Sequence, residues 1–244
     1  MHPSVIPHPE REIELPADGG RLGGTLVVPA GAVGLVLFAH GSGSSRNSPR
    51  NRRVAAALQA AGLATLLFDL LTEREEAVDR YTAHFRFDIG LLTRRLVAAI
   101  DWMAHEPEVE GLQFGCFGSS TGAAAALVAA AERPQRVGAV VSRGGRPDLA
   151  GEALARVAAP TLLIVGGEDA PVLGLNRRAM AEMACPARLE VVPGATHLFE
   201  EPGALDRVAG LAAEWFRRHL AAATEAVVLD LPVTAAEPSR AAHA

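Results

Sequence analysis

The chain has little cysteine, no excess of positive charge and no long apolar run, and each shortage removes a class of protein. Two cysteines in 244 residues, Cys116 and Cys185, do not make the disulfide framework that staples small secreted domains. A net charge of −5 with 21% charged residues offers no basic surface for a nucleic acid, so none is expected as a partner. No stretch supplies the roughly 18 consecutive apolar residues of a membrane helix, and the first ten residues lack a basic segment followed by an apolar one. A cytoplasmic location and no membrane partner are therefore expected. His, Cys, Asp and Glu show no metal-ligand spacing, so no metal and no cofactor is expected, and no internal repeat is evident.

What is present is an apolar, strongly alternating chain. Apolar residues make up 49% of it, enough for one large core. Short runs rich in Val, Leu, Ile and Phe alternate with longer helical patterns, the order of a doubly wound, mostly parallel α/β sheet. Strands are predicted at Glu12–Leu15 and Thr25–Val28, an antiparallel start, then at Val33–Ala39, Ala64–Phe68, Leu112–Phe117, Val137–Val141, Thr161–Val165 and Leu189–Val192. Helices are predicted at about 50–61, 87–105, 122–132, 173–183 and 203–220. One domain over 11–222 follows, with an N-terminal extension at 1–10 and a C-terminal tail at 223–244 that lacks a periodic apolar face and is expected to be mobile. Only Ser142 to Ala159 separate the sixth and seventh strands, room for one short helix and no large cap. The polar segment Leu70 to Arg86 is expected to form a mobile rim over an open site.

The fifth strand runs into Gly118-Ser119-Ser120-Thr121-Gly122 and then into an alanine-rich helix. A serine hydroxyl attacks a carbonyl only if it projects from the backbone, which a tight strand-to-helix turn achieves when glycines relieve the crowding around it. Ser120, centred between the glycines, is the candidate nucleophile rather than Ser119. Two partners should follow in the order acid, then histidine, each just beyond a strand. Asp169 follows Thr161–Val165, and His197 follows Leu189–Val192. Asp148, after the sixth strand, is the competing acid. His40 is expected to brace its loop.

These motifs resemble a serine hydrolase of the α/β-hydrolase fold, in the dienelactone-hydrolase-like branch, over about residues 11 to 222. The resemblance includes His40-Gly41-Ser42-Gly43-Ser44-Ser45, similar to that family's oxyanion loop. It implies an acyl-enzyme mechanism on Ser120, His197 and Asp169, with the backbone N–H groups of Thr121 and Ser42 as oxyanion donors and Gly43 as the competitor of Ser42. One departure bears on the substrate. Dienelactone hydrolases proper carry cysteine as nucleophile, whereas this elbow holds Ser120, with Cys116 four residues upstream inside the strand.

Arg46 and Arg143 are the candidate substrate-binding residues. Together with Arg146 they follow strand ends on the side of the sheet where ligands bind. A guanidinium fork there suits an anionic substrate, and pairing with acids of the rim is the alternative. The expected partner is a small ester, anionic if those guanidinium forks are free to bind it, and the expected assembly a monomer or small homo-oligomer. Hydrolysis of a carboxylic ester or lactone is the first functional reading. An acyl-thioester hydrolase or acyltransferase with the same triad is the second, and a non-catalytic binding protein on this fold is the third.

Overall fold

The apolar strand runs assemble into one eight-stranded sheet in a computed structural model that describes residues 8–229, with side chains as far as residue 221. The strands are β1 (Arg11–Ala17), β2 (Gly20–Val27), β3 (Leu35–Ala39), β4 (Ala64–Phe68), β5 (Phe114–Ser119), β6 (Val137–Arg143), β7 (Thr161–Gly166) and β8 (Ala187–Val192). Their order is β1-β2-β4-β3-β5-β6-β7-β8. β2 pairs antiparallel with both β1 and β4, and β4, β3, β5, β6, β7 and β8 run parallel. This is the expected fold class, and no large cap interrupts it. Residues 1–7 of the expected extension and 230–244 of the expected tail lie outside the described residues.

Among the described residues there are six α-helices, α1 (Pro49–Ala60), α2 (Glu73–Thr82), α3 (Ile89–Met103), α4 (Thr121–Glu132), α5 (Ala170–Glu182) and α6 (Ala204–Leu229), and all but α2 pack on the sheet. Side chains alternate across each strand, so a strand covered on both faces must be apolar throughout. In β3, Leu35, Leu37 and Ala39 join a core with Leu92, Leu96 and Ile100 of α3 and Ala124 to Leu127 of α4. Val36 and Phe38 join the opposite core with Val54 and Leu58 of α1 and Val208, Trp215 and Phe216 of α6. Each large aliphatic side chain so buried contributes about 2 kcal/mol of transfer free energy. The two cores fix the sheet order, and with it which strand ends lie side by side.

Three local features differ from the expectations drawn from sequence. α5 begins at Ala170, a turn earlier than predicted, because Pro171 is acceptable in the first turn of a helix. α6 passes its predicted end at Leu220 and continues to Leu229; alanine-rich sequence there has high helix propensity. The segment Leu70 to Arg86 is built rather than loose. Thr72 and Glu75 form a reciprocal capping box at the start of α2, and Arg95 Nη2 donates to Glu75 at 2.8 Å.

The key residue of that segment is Asp79, whose side chain is wholly buried. Its Oδ1 accepts from Phe85 N at 2.6 Å and from Arg86 N at 3.3 Å, and its Oδ2 accepts from Arg86 Nε. Burial opposes ionisation of this carboxyl, but the hydrogen bonds from Arg86 and Phe85 and the charge of Arg86 outweigh it and hold its pKa below the ordinary carboxylate value. A depressed folded-state pKa contributes stability that is present above the unfolded value of about 4 and is lost as pH falls through the folded value. Asp79→Asn is therefore expected to cost roughly 3 kcal/mol at pH 7. Thermal melts should show the gap to wild type closing as pH falls towards about 3. An equal penalty at both pH values would show that the ionised carboxylate is not what holds the segment.

Candidate active site

Ser120 sits where β5 gives way to α4, and its backbone is forced there. Its φ of 49° and ψ of −121° place a non-glycine residue in a region that L side chains avoid, a strain that packing must hold in place. The packing is visible at the flanking glycines. A Cβ on Gly122 would fall 2.2 Å from the Ala39 carbonyl oxygen, and one on Gly118 would fall 2.4 Å from the Ala123 Cα. The chain on either side of Ser120 can therefore approach its neighbours only without side chains. Ser120 N donates to Arg143 O at 3.4 Å and Ser120 O accepts from Arg146 N at 3.0 Å, so the turn after β6 clamps the elbow. Its hydroxyl makes no hydrogen bond to a described residue, as is common where a reacting group awaits its substrate.

Asp169 and His197 are brought together by the adjacent ends of β7 and β8. A Cβ on Gly166 would lie 2.3 Å from Ala195 O, and Glu168 N donates to Ala195 O at 3.0 Å, so the two loops touch backbone to backbone. His197 Nδ1 lies 2.6 Å from Asp169 Oδ2. An imidazole that donates from Nδ1 to a carboxylate presents an unprotonated Nε2, the tautomer a general base needs. Asp169 is nearly covered, at 12% side-chain exposure, while His197 is 41% exposed. The His197 ring lies over the turn that clamps Ser120, since a Cβ at Gly144 would be 3.5 Å from His197 Cε1. Asp148, the competing acid, is occupied elsewhere, accepting from Arg146 Nε at 2.9 Å and from Arg146 Nη2 at 2.8 Å.

The loop after β3 closes the other side. A Cβ on Gly41 would approach Ser120 Cβ to 3.1 Å, and the hydroxyls of Ser42 and Thr121 are 3.0 Å apart. Thr121 opens α4, so its N–H is one of the helix's unsatisfied donors. The structure thus places Ser42 and Thr121 together beside Ser120. His40 is buried with its Nε2 accepting from Leu70 N at 3.1 Å, which leaves its Nδ1–H to donate to Gly41 O at 3.0 Å. Burial lowers its pKa, against the opposing effect of that hydrogen bond and of Asp69 and Glu76. A neutral His40 is the brace for the loop that the sequence led one to expect.

The arginines divide. Arg46 donates to Asp69 Oδ2 at 2.6 Å, lies 3.5 Å from Glu12 Oε2 and packs its guanidinium over Gly23. Its fork is taken by acids, the alternative open at the sequence level. Arg143 is buried and stacks at 6.0 Å over the Phe199 ring, two residues past His197. Two contributors were not visible in the sequence. Arg86 O accepts from Ser42 Oγ at 3.4 Å, which ties the Asp79 clamp to the loop after β3. Asn51, at the start of α1, accepts from Ser119 Oγ at 3.4 Å. The Thr72-Glu75 capping spacing was the one sequence signal that the first of these segments is ordered. Among the described residues no cluster of three or more His, Cys, Asp or Glu could hold a metal, and no helix is long and apolar enough to cross a membrane.

Known proteins resemble the chain in sequence and in fold. The model of the dienelactone hydrolase family matches residues 23–226. The crystal structure of a dienelactone hydrolase from Anabaena variabilis superposes with a TM-score of 0.86 at 60% identity, covering 87% of this chain and 99% of that one. Est1E from Butyrivibrio proteoclasticus, at 16% identity and a TM-score of 0.71 over 85% of this chain and 98% of its own, shares the fold. A Mycobacterium tuberculosis protein whose name places it, provisionally, among phosphoribosyl transferases is 57% identical over 211 residues, 86% of this chain and 47% of its own length. This chain therefore spans about half of that relative.

Proposed function

This chain belongs to the dienelactone hydrolase family and has the α/β-hydrolase fold, and from that premise we propose that it hydrolyses a carboxylic ester or lactone through an acyl-enzyme on Ser120. The observation that carries the reading is the 2.6 Å contact of His197 Nδ1 with Asp169 at the strand ends beside the strained Ser120 turn. In this reading His197 Nε2 takes the Ser120 proton as the hydroxyl attacks the carbonyl, and Asp169 orients the imidazole and stabilises its cation. The tetrahedral oxyanion accepts from the backbone N–H groups of Thr121 and Ser42, each worth about 3 kcal/mol in the transition state. His197 returns the proton to the departing alcohol, and water activated by the same imidazole releases the acid. The side chain of Cys116 takes no part, because burial pushes its pKa up to about 12, and a thiol so protonated is a poor nucleophile. The phosphoribosyl transfer in one relative's name describes a protein about twice as long and does not enter.

A fluorophosphonate probe tests the assignment directly. It should label the protein once, with the modification on Ser120 by peptide mass spectrometry, and should block turnover of a p-nitrophenyl ester in proportion to labelling. Modification of Ser119 or Ser42 with Ser120 untouched would move the nucleophile. Turnover that survives complete labelling would remove the acyl-enzyme altogether.

A further inference from the structure

The two amides assigned to the oxyanion come from the loop after β3 and from the start of α4, and the backbones of these two segments are not joined. The ladder between β3 and β5 ends at Ala39 opposite Gly118. Beyond that rung no backbone hydrogen bond links residues 40–46 to residues 118–122 among the described residues. The loop turns on its own hydrogen bond from Ser44 N to Gly41 O at 3.1 Å, with Gly43 at a φ of 67°, which glycine adopts without strain. What crosses to the elbow is a pair of side chains, the Ser42 and Thr121 hydroxyls, 3.0 Å apart. A hydroxyl carries one hydrogen. That of Ser42 goes to Arg86 O at 3.4 Å, an atom that can only accept, so the Thr121 hydroxyl donates to Ser42 Oγ. Thr121, Ser42 and the Arg86 carbonyl therefore form a directed chain of hydrogen bonds.

The carbonyl at the end of the chain is itself held. Arg86 N donates to Asp79 Oδ1 at 3.3 Å, Arg86 Nε to Asp79 Oδ2 and Arg86 Nη2 to Asp79 O at 2.9 Å, around a carboxylate that is wholly buried. The guanidinium also fills the space beside the loop, since a Cβ on Gly43 would come within 3.2 Å of Arg86 Nη1. At the other end Thr121 is 3% exposed, which shields its hydroxyl from competing water. We propose that the hydroxyls of Ser42 and Thr121, ending on the Arg86 carbonyl that Asp79 holds, are positioning groups that set the spacing of the two oxyanion-binding amides. They act through the placement of two backbone N–H groups and do not touch the reacting atoms. The proposal rests on Ser120 being the nucleophile and on those two amides facing the oxyanion. Such donors are effective because they need not move when charge develops, and a misplacement of about 1 Å can lower the rate about a hundredfold. The hydroxyl chain holds the Ser42 amide in register with an elbow to which its own backbone is not bonded.

The test removes the hydroxyls and leaves the amides. Ser42→Ala and Thr121→Val are each expected to lower kcat on p-nitrophenyl butanoate about ten- to a hundredfold, with KM within about twofold of wild type. Thr121→Ser, which restores the hydroxyl, should recover most of the loss. Affinity for n-butylboronic acid, whose tetrahedral adduct on a serine mimics the intermediate, should fall in parallel with kcat. The double variant should be no slower than the slower single one, because the two hydroxyls belong to one chain. Asp79→Asn, assayed well below its melting temperature, should lower kcat about fivefold, and adding it to Ser42→Ala should lower kcat no further. Hydroxyl variants with the wild-type kcat, losses confined to KM, or losses that multiply in the double variants would overturn the chain. If Asp79→Asn fails to fold, the two hydroxyl variants and their double decide alone. Failure of the underlying reading looks different: Ser120→Ala would then turn over the ester as fast as wild type, and the proposal would fall with the acyl-enzyme.

Discussion

Ser120→Ala is expected to lower kcat on a p-nitrophenyl ester by roughly a millionfold, the scale seen when a triad nucleophile is removed, while leaving the melting temperature nearly unchanged. The chemistry gives the first half: without the hydroxyl no acyl-enzyme can form, and only the oxyanion donors and binding remain to help water. The structure gives the second half. The Ser120 hydroxyl has no hydrogen-bond partner among the described residues, so its loss orphans nothing. Serine and alanine also carry the same Cβ into the φ of 49°, so the strain of the turn is unaltered. Parallel kinetics and thermal melts check both halves. A variant within about tenfold of wild type would place the chemistry on another residue, and a large fall in melting temperature would show that Ser120 is needed for folding as well.

Asp169→Asn is expected to lower kcat by roughly ten-thousandfold, and Asp148→Asn by less than about tenfold. The contrast follows from what each carboxylate holds. Asp169 meets His197 Nδ1 at 2.6 Å; an amide in its place can donate to Nδ1, fixing the proton on Nε2, where it blocks attack by Ser120. Asp148 meets the Arg146 fork at a partly exposed rim, with side chains 38% and 26% exposed. Loss of that pair should cost about 1 kcal/mol of stability or less. Measuring kcat for both variants on one ester decides the matter, because a reversed ranking would move the acid from the end of β7 to the segment after β6.

The path to these residues was legible because each lies at a break between two periodicities. Leu112 to Phe117 reads as a strand and Ala123 onward as a helix, so the Gly-Ser-Ser-Thr-Gly between them had to be a tight turn. Asp169 and His197 were found in the same way, at the ends of apolar strand runs. The segment Leu70 to Arg86 was not legible. Its composition is polar, and beyond the capping box its order comes largely from Asp79, whose partners Phe85 and Arg86 lie past a left-handed turn at Ala83. Composition carries no signal for a contact of that kind, and the hold of Arg86 on Ser42 spans still more of the chain.

The sequence by itself determined the order of strands and helices, the absence of a cap, and the three residue types at three strand ends, because these follow from side-chain periodicity and turn chemistry within short windows. Tertiary structure alone decided the charges. Arg46 and Arg143 look alike in sequence, each in a loop or at a strand end on the ligand side. The sheet order sets β2 beside β4 and so gives Arg46 to Asp69 and Glu12, while the end of β6 buries Arg143 over the Phe199 ring with no acid to pair it among the described residues. Whether a charge is paired depends on distances between residues far apart in the chain, and periodicity encodes which face a residue takes but not which partner waits there.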